Sequence, residues 1–378
     1  MPHPSPSEQY PSPRPRRLSA LEKQLVQAGK RGDDLLIGFQ KLLFLPQLLG
    51  GKKKSAGAVE DKLDLSLYTD PKLLQHPLSF YPAPKERIQV RRKRIRALEG
   101  GVQESLRFES LYETFHPDYR QAYRRYRENN TAYAIWWRHL DGNRPTLLVV
   151  HGWMAGNPLV HQYEFLMPWL YEKLGLDIVF FQQPFHGRRK PKQSRFSGQL
   201  FPSTNPARTN EGFGQSVYDL RSLFAWLKSE GAGRTGCTGS SLGGYVTALL
   251  ASTEPGLDFA IPIIPPAAIS DLFWKQGEGS PRRREAEKRG VTAETFRALL
   301  AVNSPLMLQP LVPKERRFIV AGLGDRLVPP SHPYALWRHW EECRIHWFPG
   351  GHIPQFRRGK YFREMRGFLS EIGVTEHR

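Results

Sequence analysis

The stretch Gly239-Ser240-Ser241-Leu242-Gly243 constrains this chain more than any other. A short candidate strand precedes it (Arg234 to Thr238), and a segment of helical composition follows it (Gly244 to Ser252). Strand, sharp turn and helix form the setting in which Gly-x-Ser-x-Gly presents a serine at a tight, strained bend. The glycines are needed because side chains two residues either side of the serine would collide. The register is fixed, since Thr238 and Leu242 would occupy the glycine positions around Ser240. Ser241 is therefore the candidate nucleophile, and the helix behind it aims its N-terminal amides at the reaction centre.

Two later signals complete a constellation. The predicted strand 317–321 runs into Gly322-Leu323-Gly324-Asp325, followed by Val328-Pro329-Pro330; Asp325 is the candidate acid. The predicted strand 343–348 runs into Pro349-Gly350-Gly351-His352, ahead of a C-terminal helix; His352 is the candidate base. A serine hydroxyl is a poor nucleophile near neutral pH. A histidine that takes its proton, held in one tautomer by a carboxylate, makes it useful. The order Ser, Asp, His is that of an α/β-hydrolase sheet and not of chymotrypsin or subtilisin.

Upstream, 145–150 is a continuous apolar run, as in a strand buried on both faces. It ends at His151-Gly152-Trp153-Met154. An acyl oxygen that gathers negative charge needs two aimed amides, and these are assigned to Leu242 and Trp153. His151 is read as a brace for its loop. His151, Gly152, Met154, His186 and Arg188 are the expected substrate-lining positions. Arg188, Arg189, Lys190, Lys192 and Arg195 form a dense cluster of cations. That cluster suits a phosphate or carboxylate on a substrate, and equally a solvated loop.

The 378 residues are enough for one large α/β domain with extensions, and 39% hydrophobic residues provide its core. Three segments are expected. Residues 1–17 are a disordered Pro/Ser/Arg-rich tail, without the apolar stretch of an export signal. Residues 18–85 are a helical basic extension, with helices over 18–29 and 35–45. Residues 86–378 are the main domain, with an edge strand at 104–111, a strand at 131–140, a solvated connecting helix over 116–128, a helix over 160–174, an amphipathic helix over 210–231 and a helical cap over 265–314. No run reaches the ~20 apolar residues of a spanning helix. Two cysteines, Cys237 and Cys343, make neither a disulfide framework nor a metal cluster, and no cofactor is called for. Cytoplasmic placement is expected.

The net charge of +19 raises nucleic acid, an anionic membrane and an anionic substrate as partners. No zinc-finger, RNA-recognition or basic-heptad pattern is present, so specific nucleic-acid binding is not expected. Residues 1–100 hold 19 Lys/Arg against 10 Asp/Glu. The apolar 35–45 segment, with Lys52, Lys53 and Lys54 behind it, has the pattern of an interfacial helix. Peripheral contact with an anionic membrane is one expectation; packing on the main domain is the other, and the favoured one.

Together, strand-His-Gly, Gly-x-Ser-x-Gly, Gly-x-Gly-Asp and Gly-Gly-His resemble the α/β-hydrolase superfamily over residues 100–375. The finer strings Pro184-Phe-His-Gly-Arg-Arg-Lys-Pro191, Thr238-Gly-Ser-Ser-Leu-Gly-Gly244 and Ile261-Pro-Ile-Ile-Pro265 are similar to the abhydrolase domain-containing eighteen family. The resemblance implies a mostly parallel sheet flanked by helices and a serine hydrolase with a taste for lipid esters. The basic N-terminal extension departs from that pattern. The expected reaction is hydrolysis of a carboxylic ester, from a small-molecule or lipid substrate, through an acyl-Ser241 intermediate. Amidase, peptidase or acyltransferase chemistry on the same residues, and a non-catalytic membrane- or nucleic-acid-binding module, are the alternatives.

Overall fold

Thr146–Val150 (β4) and Thr235–Ser240 (β6) are buried at every position and pair in parallel at the centre of a nine-stranded sheet. The computed structural model describes residues 18–49, 62–288 and 290–376. The predicted 1–17 tail lies outside them. The strand order is β1-β2-β3-β5-β4-β6-β7-β8-β9. β1 (Arg91–Leu98), β2 (Gly101–Glu109) and β3 (Thr131–His139) are antiparallel, and β3 meets β5 (Asp177–Gln182) antiparallel. From β5 onward, through β7 (Phe259–Ile263), β8 (Phe318–Gly322) and β9 (Arg344–Phe348), all pairs are parallel.

The edge of the sheet is β1 and not the 104–111 segment, whose strand is β2, one place in. Five of the six residues Arg91 to Arg96 are cations and all are exposed. Charge on an edge strand discourages pairing with another chain. Such a run carries no apolar alternation, which is why it does not read as a strand.

Helices cover both faces. One long helix, α1 (Ala20–Leu49), replaces the two expected at 18–29 and 35–45; the intervening residues 30–34 are helical as well. The side chains of residues 39–49 and the cations Lys52, Lys53 and Lys54 of the expected interfacial pattern lie outside the described residues. The expected 160–174 helix divides into α2 (Pro158–Glu164) and α3 (Met167–Leu174), broken by Leu166 at φ 48°. α4 (Pro206–Ser229) leads to β6, and α5 (Leu242–Ala251) follows it. α6 (Ile269–Gln276), α7 (Pro281–Lys288) and α8 (Ala293–Leu300) occupy the predicted cap region. α9 (Ser331–His339) and α10 (Arg358–Glu371) follow β8 and β9.

α4 is buried over most of its length and carries two acids inward. Glu211 accepts from Tyr68 Oη and Tyr112 Oη, both at 2.6 Å, and from the amides of Phe115 and His116. Asp219 accepts from Ser110 Oγ at 2.6 Å and Arg189 at 2.7 Å. A buried acid requires such partners. The 116–128 connection is therefore not a solvated helix: its short helical turns bury Tyr119 and Tyr123 against this network. Tyr68, Leu73, Phe80 and Tyr81, from the N-terminal extension, belong to the same core.

Candidate active site

Ser241 sits between β6 and α5 at φ 56°, ψ −114°. Such backbone angles cost a non-glycine residue about 1–3 kcal/mol and persist only where the surroundings enforce them. The enforcement is close packing. A Cβ on Gly243 would lie 1.9 Å from the Val150 carbonyl oxygen, and one on Gly239 would lie 2.4 Å from Gly243. Leu242 is the first residue of α5, a position whose N–H has no partner within its own helix.

The His-Gly loop lies against this bend. A Cβ on Gly152 would sit 3.7 Å from Ser241 Cβ and 3.4 Å from the Ser240 carbonyl. Trp153 is held by its indole, which donates to the Gly198 carbonyl at 2.8 Å. Met154 follows at φ 62° and is half-buried.

Asp325 and His352 meet. His352 Nδ1 is 2.7 Å from Asp325 Oδ2. The other oxygen, Oδ1, accepts from the amides of Leu327 at 2.9 Å and Val328 at 2.7 Å, which fixes the carboxylate. Burial works against the imidazolium, but the charge and hydrogen bond of Asp325 outweigh it, and Asp33 and Glu164 add to them. His352 therefore titrates above an ordinary histidine. Burial raises the Asp325 carboxyl, and His352 and the Val328 amide act against that rise.

Two of the expected substrate-lining residues are corrected. His151 and His186 are fully buried. His151 Nδ1 donates to the Gly152 carbonyl at 2.8 Å, and Nε2 accepts the Gln183 amide at 3.1 Å, so this ring braces the loop. His186 Nδ1 donates to the Pro184 carbonyl, and its other nitrogen packs on Gly198. Burial pushes His186 down to about 4, and it holds His151 well below the usual histidine range, the neighbouring His186 and His161 adding to it. Both are neutral packing residues.

The cation cluster divides in the same way. Arg189 is fully buried on Asp219 and the carbonyls of Asn129 and Gln182. Arg188 is exposed, stands 5.6 Å over the Tyr133 ring, and lines a cleft of about 460 Å³ with Lys93, Arg94 and Pro158.

One contributor gave no motif. Asp33, in α1, is fully buried and binds the amide of His352. Its signal was small residues beside a carboxylate: Gly29 and Gly32 permit contact that a Cβ would forbid, at 2.3 Å from the Gly351 nitrogen and 2.5 Å from Pro354.

The profile of the family described as alpha/beta hydrolase domain containing 18 matches residues 160–284, from α2 through the serine bend into the cap. The "Uncharacterized protein Rv2627c" of Mycobacterium tuberculosis (strain ATCC 25618 / H37Rv) is 33% identical over 316 residues, covering 82% of this chain and 74% of that protein. The chain belongs to this alpha/beta-hydrolase family. "Uncharacterized protein MT2702" from strain CDC 1551 / Oshkosh matches to the same extent. Among solved structures, acetyl xylan esterase 1 from Thermoanaerobacterium sp. JW/SL YS485 superposes with a TM-score of 0.54 at 17% identity, over 82% of this chain and 94% of the esterase. An acetyl xylan esterase from Paenibacillus sp. R4 gives 0.54 at 14% identity, over 82% and 98%. These likenesses establish the alpha/beta-hydrolase fold. Among the described residues, no helix is long and apolar enough to cross a membrane.

Proposed function

We propose that this alpha/beta hydrolase cleaves carboxylic esters through an acyl-Ser241 intermediate. The observation that carries the proposal is the Asp325–His352 hydrogen bond of 2.7 Å in a chain whose Ser241 is held at a strained strand–helix bend. In the proposed cycle His352 takes the Ser241 proton as the hydroxyl attacks the acyl carbon. The C–O bond to the alcohol breaks as His352 returns that proton to the leaving oxygen. Water then repeats the sequence and frees the acid. Asp325 keeps Nδ1 protonated and stabilises the imidazolium. The amides of Leu242 and Trp153 receive the acyl oxygen's developing charge.

We propose a lipid ester as the substrate class. Leu159, Val160 and Tyr163 on α2 are each 60–69% exposed, as is Ile353 beside His352 at 65%. α2 stands by the histidine loop, because Arg358 Nη2 binds the Tyr163 carbonyl at 3.2 Å and Glu164 acts on His352. A separate cleft of about 500 Å³ between α1, α6 and the acid loop joins Ile37, Leu272 and Leu327 with Lys30 and Lys275. Apolar and cationic side chains in one cleft, beside the Asp34 and Asp325 carboxylates, suit an acyl chain on an anionic headgroup, presented at an anionic membrane surface.

The test is labelling with a fluorophosphonate probe, followed by a panel of acyl esters and phospholipids. Labelling of the wild-type chain that is abolished in Ser241→Ala supports the proposal. A folded wild type that takes no label, or a label that persists in Ser241→Ala, overturns it. Hydrolysis of short soluble esters only would overturn the lipid assignment and leave the chemistry.

A further inference from the structure

We infer that Asp33 is a positioning residue of the active site, by which α1 ties the loop of the acid to the loop of the base. This rests on the proposed Ser241 chemistry. Asp33 Oδ2 accepts the His352 amide at 2.6 Å and the Arg326 amide at 2.9 Å, and Oδ1 accepts the Ile353 amide at 3.2 Å. One carboxylate thus joins the residue after Asp325 to His352 itself and to the residue after it. Charge-assisted bonds of this kind are among the strongest a buried side chain makes.

The rest of α1 is shaped for that approach. A Cβ on Gly324 would meet the Val26 carbonyl at 2.6 Å, and one on Gly351 would meet Asp33 Oδ2 at 2.7 Å. Surface pairs flank the contact: Asp34 with Arg326 at 3.1 Å and Glu22 with Arg357 at 3.3 Å. Carboxylates from three elements favour the imidazolium, namely Asp325 on the acid loop, Asp33 on α1 and Glu164 on α2, the last also 2.5 Å from His161. Asp33 thus acts on His352 in two ways: it fixes the backbone that carries the ring, and its charge favours the imidazolium.

The test is Asp33→Asn, with Asp34→Asn as the control that breaks only the exposed pair. Each folded protein is assayed for ester hydrolysis and fluorophosphonate labelling across pH. Asp33→Asn is expected to lower kcat/KM by about 10- to 100-fold, the scale of a displaced catalytic group. Its acidic limb is expected to move to lower pH, because the neutral amide no longer supports the imidazolium. A helix that only stabilised the fold would not move that limb. Asp34→Asn is expected to stay within about twofold of wild type with an unmoved limb. A folded Asp33→Asn with the wild-type rate and limb overturns the inference while wild-type labelling still supports the hydrolase. A wild type that takes no label overturns the hydrolase reading and the inference with it. Should Asp33→Asn not fold, hydrogen exchange in the wild type decides: protected amides at Arg326, His352 and Ile353 support the pin, and exchange as fast as an open loop overturns it.

Discussion

Arg189 and Asp219 face each other at 2.7 Å with neither side chain open to solvent. The pair links the loop after β5 to α4, next to the strands that carry the serine. Arg189→Met would leave the Asp219 carboxylate buried with Ser110 as its one remaining named partner. Breaking a buried pair from one side costs about 3–5 kcal/mol. Urea denaturation at pH 7 should show a loss of that size. An Asp219→Leu, Arg189→Met double variant should recover much of it.

Activity should fall on the acid side at a pH above the ordinary histidine value. The Asp325 carboxylate raises His352 against the effect of burial, and only the neutral imidazole accepts the serine proton. As pH falls through the raised value the base is lost. Asp325→Asn should lower kcat by about 10⁴-fold through loss of the tautomer, as measured in an ester-hydrolysis pH profile.

Gly243→Ala should not be tolerated. Its methyl would lie 1.9 Å from the Val150 oxygen, a backbone atom in a central strand that has nowhere to move. Overpacking a core costs about 1–3 kcal/mol and occasionally more. The variant should melt well below wild type. Gly38→Ala, with open space around it, should melt at or above the wild-type temperature.

The protein should weaken as pH drops from about 6.5 toward 4. Burial lowers His186 and His332 to about 4. In the unfolded chain each takes a proton near 6.5, while in the folded chain each stays neutral. Their stability contribution is therefore whole above 6.5 and is lost as pH falls, by up to roughly 3 kcal/mol per fully buried histidine. His332→Asn, which keeps an acceptor for the Ala267 amide bound at 3.3 Å by the histidine, should flatten the decline in thermal melts at pH 7 and pH 5.

The serine bend, the acid loop and the histidine loop were legible because each couples a short apolar strand to residues of fixed backbone demand. The parallel half of the sheet was legible for the same reason: β4, β5 and β7 are nearly continuous apolar runs. β1 was not, because its edge position leaves Arg91 to Arg96 exposed on both faces. The inward side of α4 was hidden as well. The amphipathic pattern of 210–231 does not mark Glu211 and Asp219 as buried, and only tyrosines and an arginine distant in sequence make them a core. His186 and Arg189 looked like binding groups on composition, and the loop folds them inside. Asp33 lies 319 residues from the amide it holds, and the glycines beside it do not say which loop they approach.

That separation has a bearing on synthesis. The α1 helix can complete these contacts only after residue 353 has cleared the ribosome, 320 residues behind Asp33 itself. A nascent chain halted between Ser241 and His352 would carry the candidate nucleophile without the histidine loop that Asp33 anchors.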